Sequence, residues 1–170
     1  MIYRIKTINS IKIEYPMGGD TAINVYTELE HPRVAIAINP NGGLSIDLYH
    51  RLTADDARLM AYYLTTCANI LESDQNGWSI KPNSFNEEDV GQQIVDGPNN
   101  KSSCQYTFSV NARTKKAHMW LHIMDPIYLS MHVDLNRHQA HELSQALIRA
   151  TYELSCENEI KDRQAPATVT

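Results

Sequence analysis

Cysteine is scarce in this chain of 170 residues. Cys67, Cys104 and Cys156 stand far apart, and no Cys-x-x-Cys pair occurs. An odd count at wide spacing excludes a disulfide framework and a zinc knuckle, so reduced thiols in the cytoplasm are expected. Long apolar runs are lacking too. The longest uncharged helical stretch, "LMAYYLTTCANIL" at 59–71, falls short of the ~20 residues that span a bilayer. The opening "MIYRIKTINSIKIEY" alternates polar and apolar residues instead of carrying the unbroken apolar core of a signal peptide, so no membrane association is expected. Positive charge is in deficit, with 15 Lys and Arg against 20 Asp and Glu. Neutralising phosphates needs a positive field, so this balance argues against nucleic acid as a partner. "NPNGG" at 39–43 lacks the lysine and helix start of a phosphate-binding loop, and there is no nucleophile elbow.

What is present supports a folded core: 42% of residues are hydrophobic, too many for a disordered chain. The pattern predicts two short strands at Ile2–Ile8 and Ile11–Tyr15, then a break at Pro16, Gly18 and Gly19. Period-two alternation predicts strands at 22–29, 33–38 and 44–50, the last two a hairpin around "NPNGG". Thr53 is a good N-cap, and Asp55 and Asp56 suit a helix N-terminus. The helix it opens carries the stripe Ala57, Met60, Ala61, Leu64, Cys67, Ala68 and Leu71, and ends near Ser73. Residues 74–103 are polar and turn-rich and read as an insertion or long connection, with a short helix over 86–95. Strand signals return at 106–110, 117–124 and 128–134, the last two joined across Asp125-Pro126-Ile127. Asn136 caps a helix over 137–157 with the stripe Ala140, Leu143, Leu147, Ala150 and Leu154. The tail at 158–170 reads as frayed.

The two halves repeat this order. "LTADDARLMAYYLTTCANIL" aligns without a gap on "LNRHQAHELSQALIRATYEL", bringing Leu52, Ala57, Leu64 and Leu71 onto Leu135, Ala140, Leu147 and Leu154. The expected architecture is a single α+β domain over 1–157. It has an antiparallel sheet with two helices on one face and a βββα duplication at 22–73 and 104–157.

The densest concentration of reactive side chains is "AHMWLHIMDPIYLSMHVD" at 117–134. Strand parity places Met119, Leu121 and Ile123 on one face and His118, Trp120 and His122 on the other. In the next strand Tyr128, Ser130, His132 and Asp134 face outward. His118 and His122 are four apart on a strand, roughly 13 Å between Cα atoms, too far to share one ion. A metal site on His118, His132 and Asp134 therefore ranks low, and no cofactor is expected. A His–Asp pair with Ser130 or Tyr128 is the catalytic alternative, without a motif to support it. The basic run Arg113, Lys115 and Lys116, with Lys101, is a low-ranked candidate for contacting phosphate. His138 and His141 should face solvent.

The first helix is apolar well beyond one stripe, because Leu59, Tyr62, Tyr63, Thr66 and Ile70 widen it. Such a surface needs a second cover, either 74–103 or another subunit. Together with Trp120, His118, His122, Tyr128 and His132, the residues Tyr62 and Leu59 form the expected contact set of a small acidic protein-binding module. An inhibitor, immunity-like, anti-defence or adaptor protein, and a homodimer, are the expectations. An enzyme or ligand-binding domain using the His/Trp/Tyr face is the first alternative. A nucleic-acid-binding protein is the second.

Overall fold

Ten elements follow one another along the chain as four strands, a helix, four strands, a helix. A computed structural model describes residues 5–14, 20–30, 32–40, 48–77, 79–96, 103–123 and 128–164. The strands are β1 (Ile5–Ile13), β2 (Thr21–Glu28), β3 (Arg33–Pro40), β4 (Leu48–Leu52), β5 (Glu87–Asp96), β6 (Ser103–Asn111), β7 (Lys116–Ile123) and β8 (Leu129–Leu135). The helices are α1 (Ala54–Gln75) and α2 (Arg137–Gln164). The strands divide into two four-stranded antiparallel meanders, β1-β2-β3-β4 and β5-β6-β7-β8. The α+β class and the antiparallel pairing expected from the sequence are present, with two sheets in place of one.

Both helices begin as their caps dictate. Thr53 Oγ1 accepts from the Asp56 N–H at 3.1 Å. Asn136 Oδ1 accepts from the Gln139 N–H at 2.8 Å, while Gln139 Oε1 accepts from the Asn136 N–H at 2.9 Å. That reciprocal pair is a capping box, which satisfies two orphan donors at once. The apolar stripe expected on α1 is the set of residues the helix buries, and the five stripe positions of α2 are buried as well. α2 runs to Gln164, seven residues past its expected end. Its last turn is tied down by Lys161 Nζ, which donates to the Leu29 carbonyl at 2.9 Å.

Three expected elements differ. The two short strands at the start are one strand, β1, with a bulge between Thr7 and Asn9 that takes up the irregularity at Asn9-Ser10. The helix expected at 86–95 is β5, an edge strand paired along its length with β6. Each half therefore contributes ββββα. The breaks at Pro16, Gly18 and Gly19, the loop with Leu44 and Ile46, the Asp125-Pro126-Ile127 turn, Lys101 and the last six residues lie outside the described residues.

The halves pair in the same register. Val34 to Leu52 in β3–β4 and Ala117 to Leu135 in β7–β8 are equivalent pairs at an offset of 83, which also holds for β2 and β6. The bulges coincide as well: β1 skips Ile8 between Thr7 and Asn9, and β5 skips Val90 between Asp89 and Gly91. This is the arrangement a duplicated unit gives.

The helices are exchanged between the halves. α1, from the first half, packs on β5, β6 and β7, and α2 packs on β1, β2 and β3. Tyr63 of α1 stacks against Phe108 of β6 at 5.3 Å between ring centroids. From α2, Gln139 Nε2 donates to the Lys12 carbonyl at 3.0 Å and the Ala150 carbonyl accepts from Thr27 Oγ1 at 3.5 Å. The two helices then pack on each other, where Ser144 Oγ donates to the Ala61 carbonyl at 2.9 Å.

One buried histidine joins the sheets. His50 of β4 has no solvent exposure. Its Nε2 lies 2.7 Å from the Asp96 carbonyl and its Nδ1 lies 2.7 Å from the Tyr106 hydroxyl. A carbonyl only accepts, so Nε2 carries the proton and Nδ1 accepts from Tyr106. Burial lowers the His50 pKa below its ordinary value, although the Asp96 carbonyl opposes the shift.

Candidate functional site

Alternation along β6, β7 and β8 sorts the second sheet into two faces. Tyr106, Phe108, Val110, Met119, Leu121 and Val133 fill the core. The residues between them form ladder rows on the outer face. The central row runs Gln92, Thr107, Trp120, His132 across the four strands. One flanking row is Asp89, Ser109, His118, Asp134, and on the other side Gln105, His122 and Ser130 follow one another. Direct cross-strand neighbours lie about 4.5–5.5 Å apart at Cβ, so each row is in contact.

Three rings on this face are parallel or nearly so. Trp120 stacks on His132 at 4.5 Å between centroids with a 26° tilt. His122 lies 6.1 Å from Trp120 at an interplanar angle of 4°, and its Nδ1 sits 3.1 Å from Ser130 Oγ. Tyr128 (73% exposed) stands at one rim and Phe85 (79% exposed) is on the loop before β5. Between Phe85 and Trp120 the small residues Thr107 and Ser109 leave a trough of about 360 Å³.

His118 differs from its neighbours. It is only 9% exposed, so it is not the surface contact residue expected. Its Nδ1 is 2.9 Å from Glu87 Oε1 and its Nε2 is 3.3 Å from Asp134 Oδ1. Among the described residues neither ring nitrogen is aligned for a hydrogen bond, and Asp134 Oδ1 and Glu87 Oε2 are buried without a hydrogen-bond partner as well. His132 Nε2 approaches the same Asp134 oxygen at 3.6 Å. The structure thus brings His118, His132 and Asp134 together, as strand parity predicted. The ring nitrogens of His118 face different carboxylates, and among the described residues no group of three or more ligands is placed to hold a metal ion.

The remaining sequence candidates lie elsewhere. Leu59 and Tyr62 are on α1, on the opposite side of this sheet from Trp120, and are 40% and 64% exposed. The rest of the wide apolar surface of α1 is covered from within the chain. Tyr63 lies over Gly91 of β5, and Ile70 packs against the core. Lys115 of the basic turn is engaged by Asp74 at 3.1 Å. The backbone of that turn is held by Asn111 Oδ1, which accepts from the N–H groups of Arg113 and Thr114. His138 and His141 are exposed beside a cleft between the helices, where Arg137 reaches Glu72 at 3.5 Å. Phe85, Asp89, Thr107 and Ser109 escaped the sequence reading. Parity around Tyr106 and Phe108 would have found the last two.

No helix among the described residues is long and apolar enough to cross a membrane. No family model matches the chain, and no curated protein matches it in sequence. Solved structures do match. The chain is similar to the crystal structure of WHY1 from Arabidopsis thaliana, with a TM-score of 0.54 and 10% identity over 100% of this chain and 98% of that one. It is similar also to the plant transcriptional regulator PBF-2, with a TM-score of 0.54 and 8% identity over 99% of this chain and 92% of that one. These likenesses overturn the expected protein-binding inhibitor or adaptor, and the dismissal of nucleic acid as a partner. Net charge is a sum over the whole molecule and does not describe one face, and β5 already covers Tyr63, one of the α1 residues that suggested an interface. Over nearly its whole length, the chain shares its fold with a plant transcriptional regulator.

Proposed function

We propose that this protein binds single-stranded nucleic acid on the outer face of its second sheet. The carrying observation is the stacked, partly exposed cluster of Trp120, His132 and His122 in a fold that a transcriptional regulator also uses. Flat side chains on an open sheet accept unpaired bases by stacking, worth about 1–3 kcal/mol per base and tolerant of sequence. Tyr128 and Phe85 extend the aromatic surface at its rims. A duplex is a poor match. Reading it needs a helix or a two-stranded ribbon free to enter a groove and cations to meet two backbones, and here the strands are joined in four-stranded sheets. Here both helices are packed on sheets, and Lys115, one of the three cations of the β6–β7 turn, is paired with Asp74. Cys67, Cys104 and Cys156 are free thiols, which supports a reducing compartment such as the cytoplasm.

Fluorescence anisotropy with labelled single-stranded and duplex oligonucleotides tests this. The single strand is expected to bind more tightly, and Trp120→Ala to weaken it by roughly tenfold to a hundredfold. Tyr49→Ala, on the outer face of the first sheet, is expected to change nothing. Absence of any single-strand binding would refute the proposal.

A further inference from the structure

The trough beside Trp120 is lined unevenly. Its floor is Thr107 and Ser109, and one wall is Trp120 with His122. The other wall is Phe85 with the carboxylates of Glu87 and Asp89. At about 360 Å³ it falls near the lower end of the ~300–1,000 Å³ that small-molecule sites occupy. Its flat walls suit an aromatic heterocycle. Its charged groups are both acceptors, because an ionised carboxylate donates nothing. Glu87 gives Oε1 to the Asn111 amide at 2.7 Å and keeps Oε2 buried without a partner. Asp89 is exposed, and the hydrogen bond its carboxylate accepts from Asn83 Nδ2 is long at 3.4 Å.

We infer that this trough takes one unpaired base of the bound strand and selects bases that carry an exocyclic amine, guanine above all, against thymine and uracil. The inference rests on the outer face being a strand-binding surface. Two carboxylates repel phosphate, so a strand enters this trough base first, with its backbone toward solvent. Unpaired bases expose their Watson–Crick edges to side chains. Adenine, cytosine and guanine each offer an amine to a carboxylate, whereas thymine presents carbonyl oxygens on both sides of its single N–H. Guanine places two donors side by side, matching the two oxygens of one carboxylate. The freer carboxylate, Asp89, is the specificity-determining residue, and Phe85 and Trp120 hold the ring between them.

The test compares a labelled oligothymidylate with oligomers of the same length in which one central base is guanine, cytosine or adenine. The guanine oligomer is expected to bind roughly tenfold more tightly than the all-thymine one, as one good bidentate contact provides. Asp89→Asn should draw that ratio toward one, with the melting temperature confirming that the variant is folded. Equal binding of all four oligomers, or a ratio unmoved by Asp89→Asn, would overturn the inference and leave the strand-binding reading standing. No binding of any oligomer removes both.

Discussion

The two sheets share a register but not a surface. The offset of 83 that aligns them puts Ala37 of the first sheet where the second has Trp120, and Tyr49 where it has His132. Ala35 stands in place of His118, and Tyr26 in place of Ser109. In the first sheet the aromatic residues are spent on the sheet itself. Tyr49 donates to Glu28 Oε1 at 2.6 Å, and Arg51 Nε donates to the same oxygen at 2.9 Å. Tyr26 and Tyr49 lie 6.1 Å apart with Ala35 and Ala37 buried across the ladder from them. In the second sheet small residues on β6 leave the rings of β7 and β8 uncovered. The shared frame carries the core, and the outer-face residues decide which sheet has a surface available for a ligand.

The helix contacts differ in the same compensating way. α1 has Tyr63 where α2 has Ala146, and β5 has Gly91 where β1 has Asn9. A Cβ on Gly91 would lie 2.2 Å from Tyr63 Cε1, so only glycine fits under that ring. Asn9 instead uses its amide to reach Glu142 at 3.2 Å.

The equivalence of the halves is best broken in the core. Leu64→Ala and Leu147→Ala remove matched, fully buried side chains, and each is expected to cost ~2–5 kcal/mol in chemical denaturation. Costs differing by more than about the spread of that range would mean the two cores are not equivalent. A smaller effect separates the helix contacts. Gly91→Ala should destabilise by about 1–3 kcal/mol through overpacking, and adding Tyr63→Ala should recover part of it. Asn9→Ala, at the matched position, should cost only ~1 kcal/mol or less.

A pH-dependent effect concerns His50, whose counterpart in the second half is Val133. The folded pKa of His50 lies below its unfolded value near 6.5, so the unfolded chain takes up the proton first. Its contribution is fully present above about pH 6.5 and is lost as pH falls toward the folded pKa, by at most about 1.4 kcal/mol per pH unit. Denaturation curves between about pH 7.5 and pH 5 should show this loss. His50→Val should remove that component of the slope, even though it leaves the Tyr106 hydroxyl without its acceptor.

Much of this was legible in the sequence. Strand parity separated Met119 and Leu121 from His118, Trp120 and His122, and the caps at Thr53 and Asn136 set both helix starts. β5 was not legible, for a definable reason. Val90 and Val95 are five apart and cannot share a period-two face unless a bulge shifts the register between them. With Ile94 pointing to solvent, that spacing imitates a helix. The site was legible only in part for the same reason, since one wall of the trough belongs to the segment containing β5. The charge balance misled because it counts acids and bases without saying where they stand.

The exchange of helices also governs how the chain must come into being. When β1–β4 have left the ribosome, the helix that covers their apolar face has not been made. It is complete only after Gln164. At ~5–20 residues per second that interval is on the order of ten seconds. The first sheet therefore has to wait, exposed or chaperoned, for α2 to be made. Truncation before Leu154 removes buried α2 residues that cover the first sheet, so that sheet becomes stable only after a helix made much later.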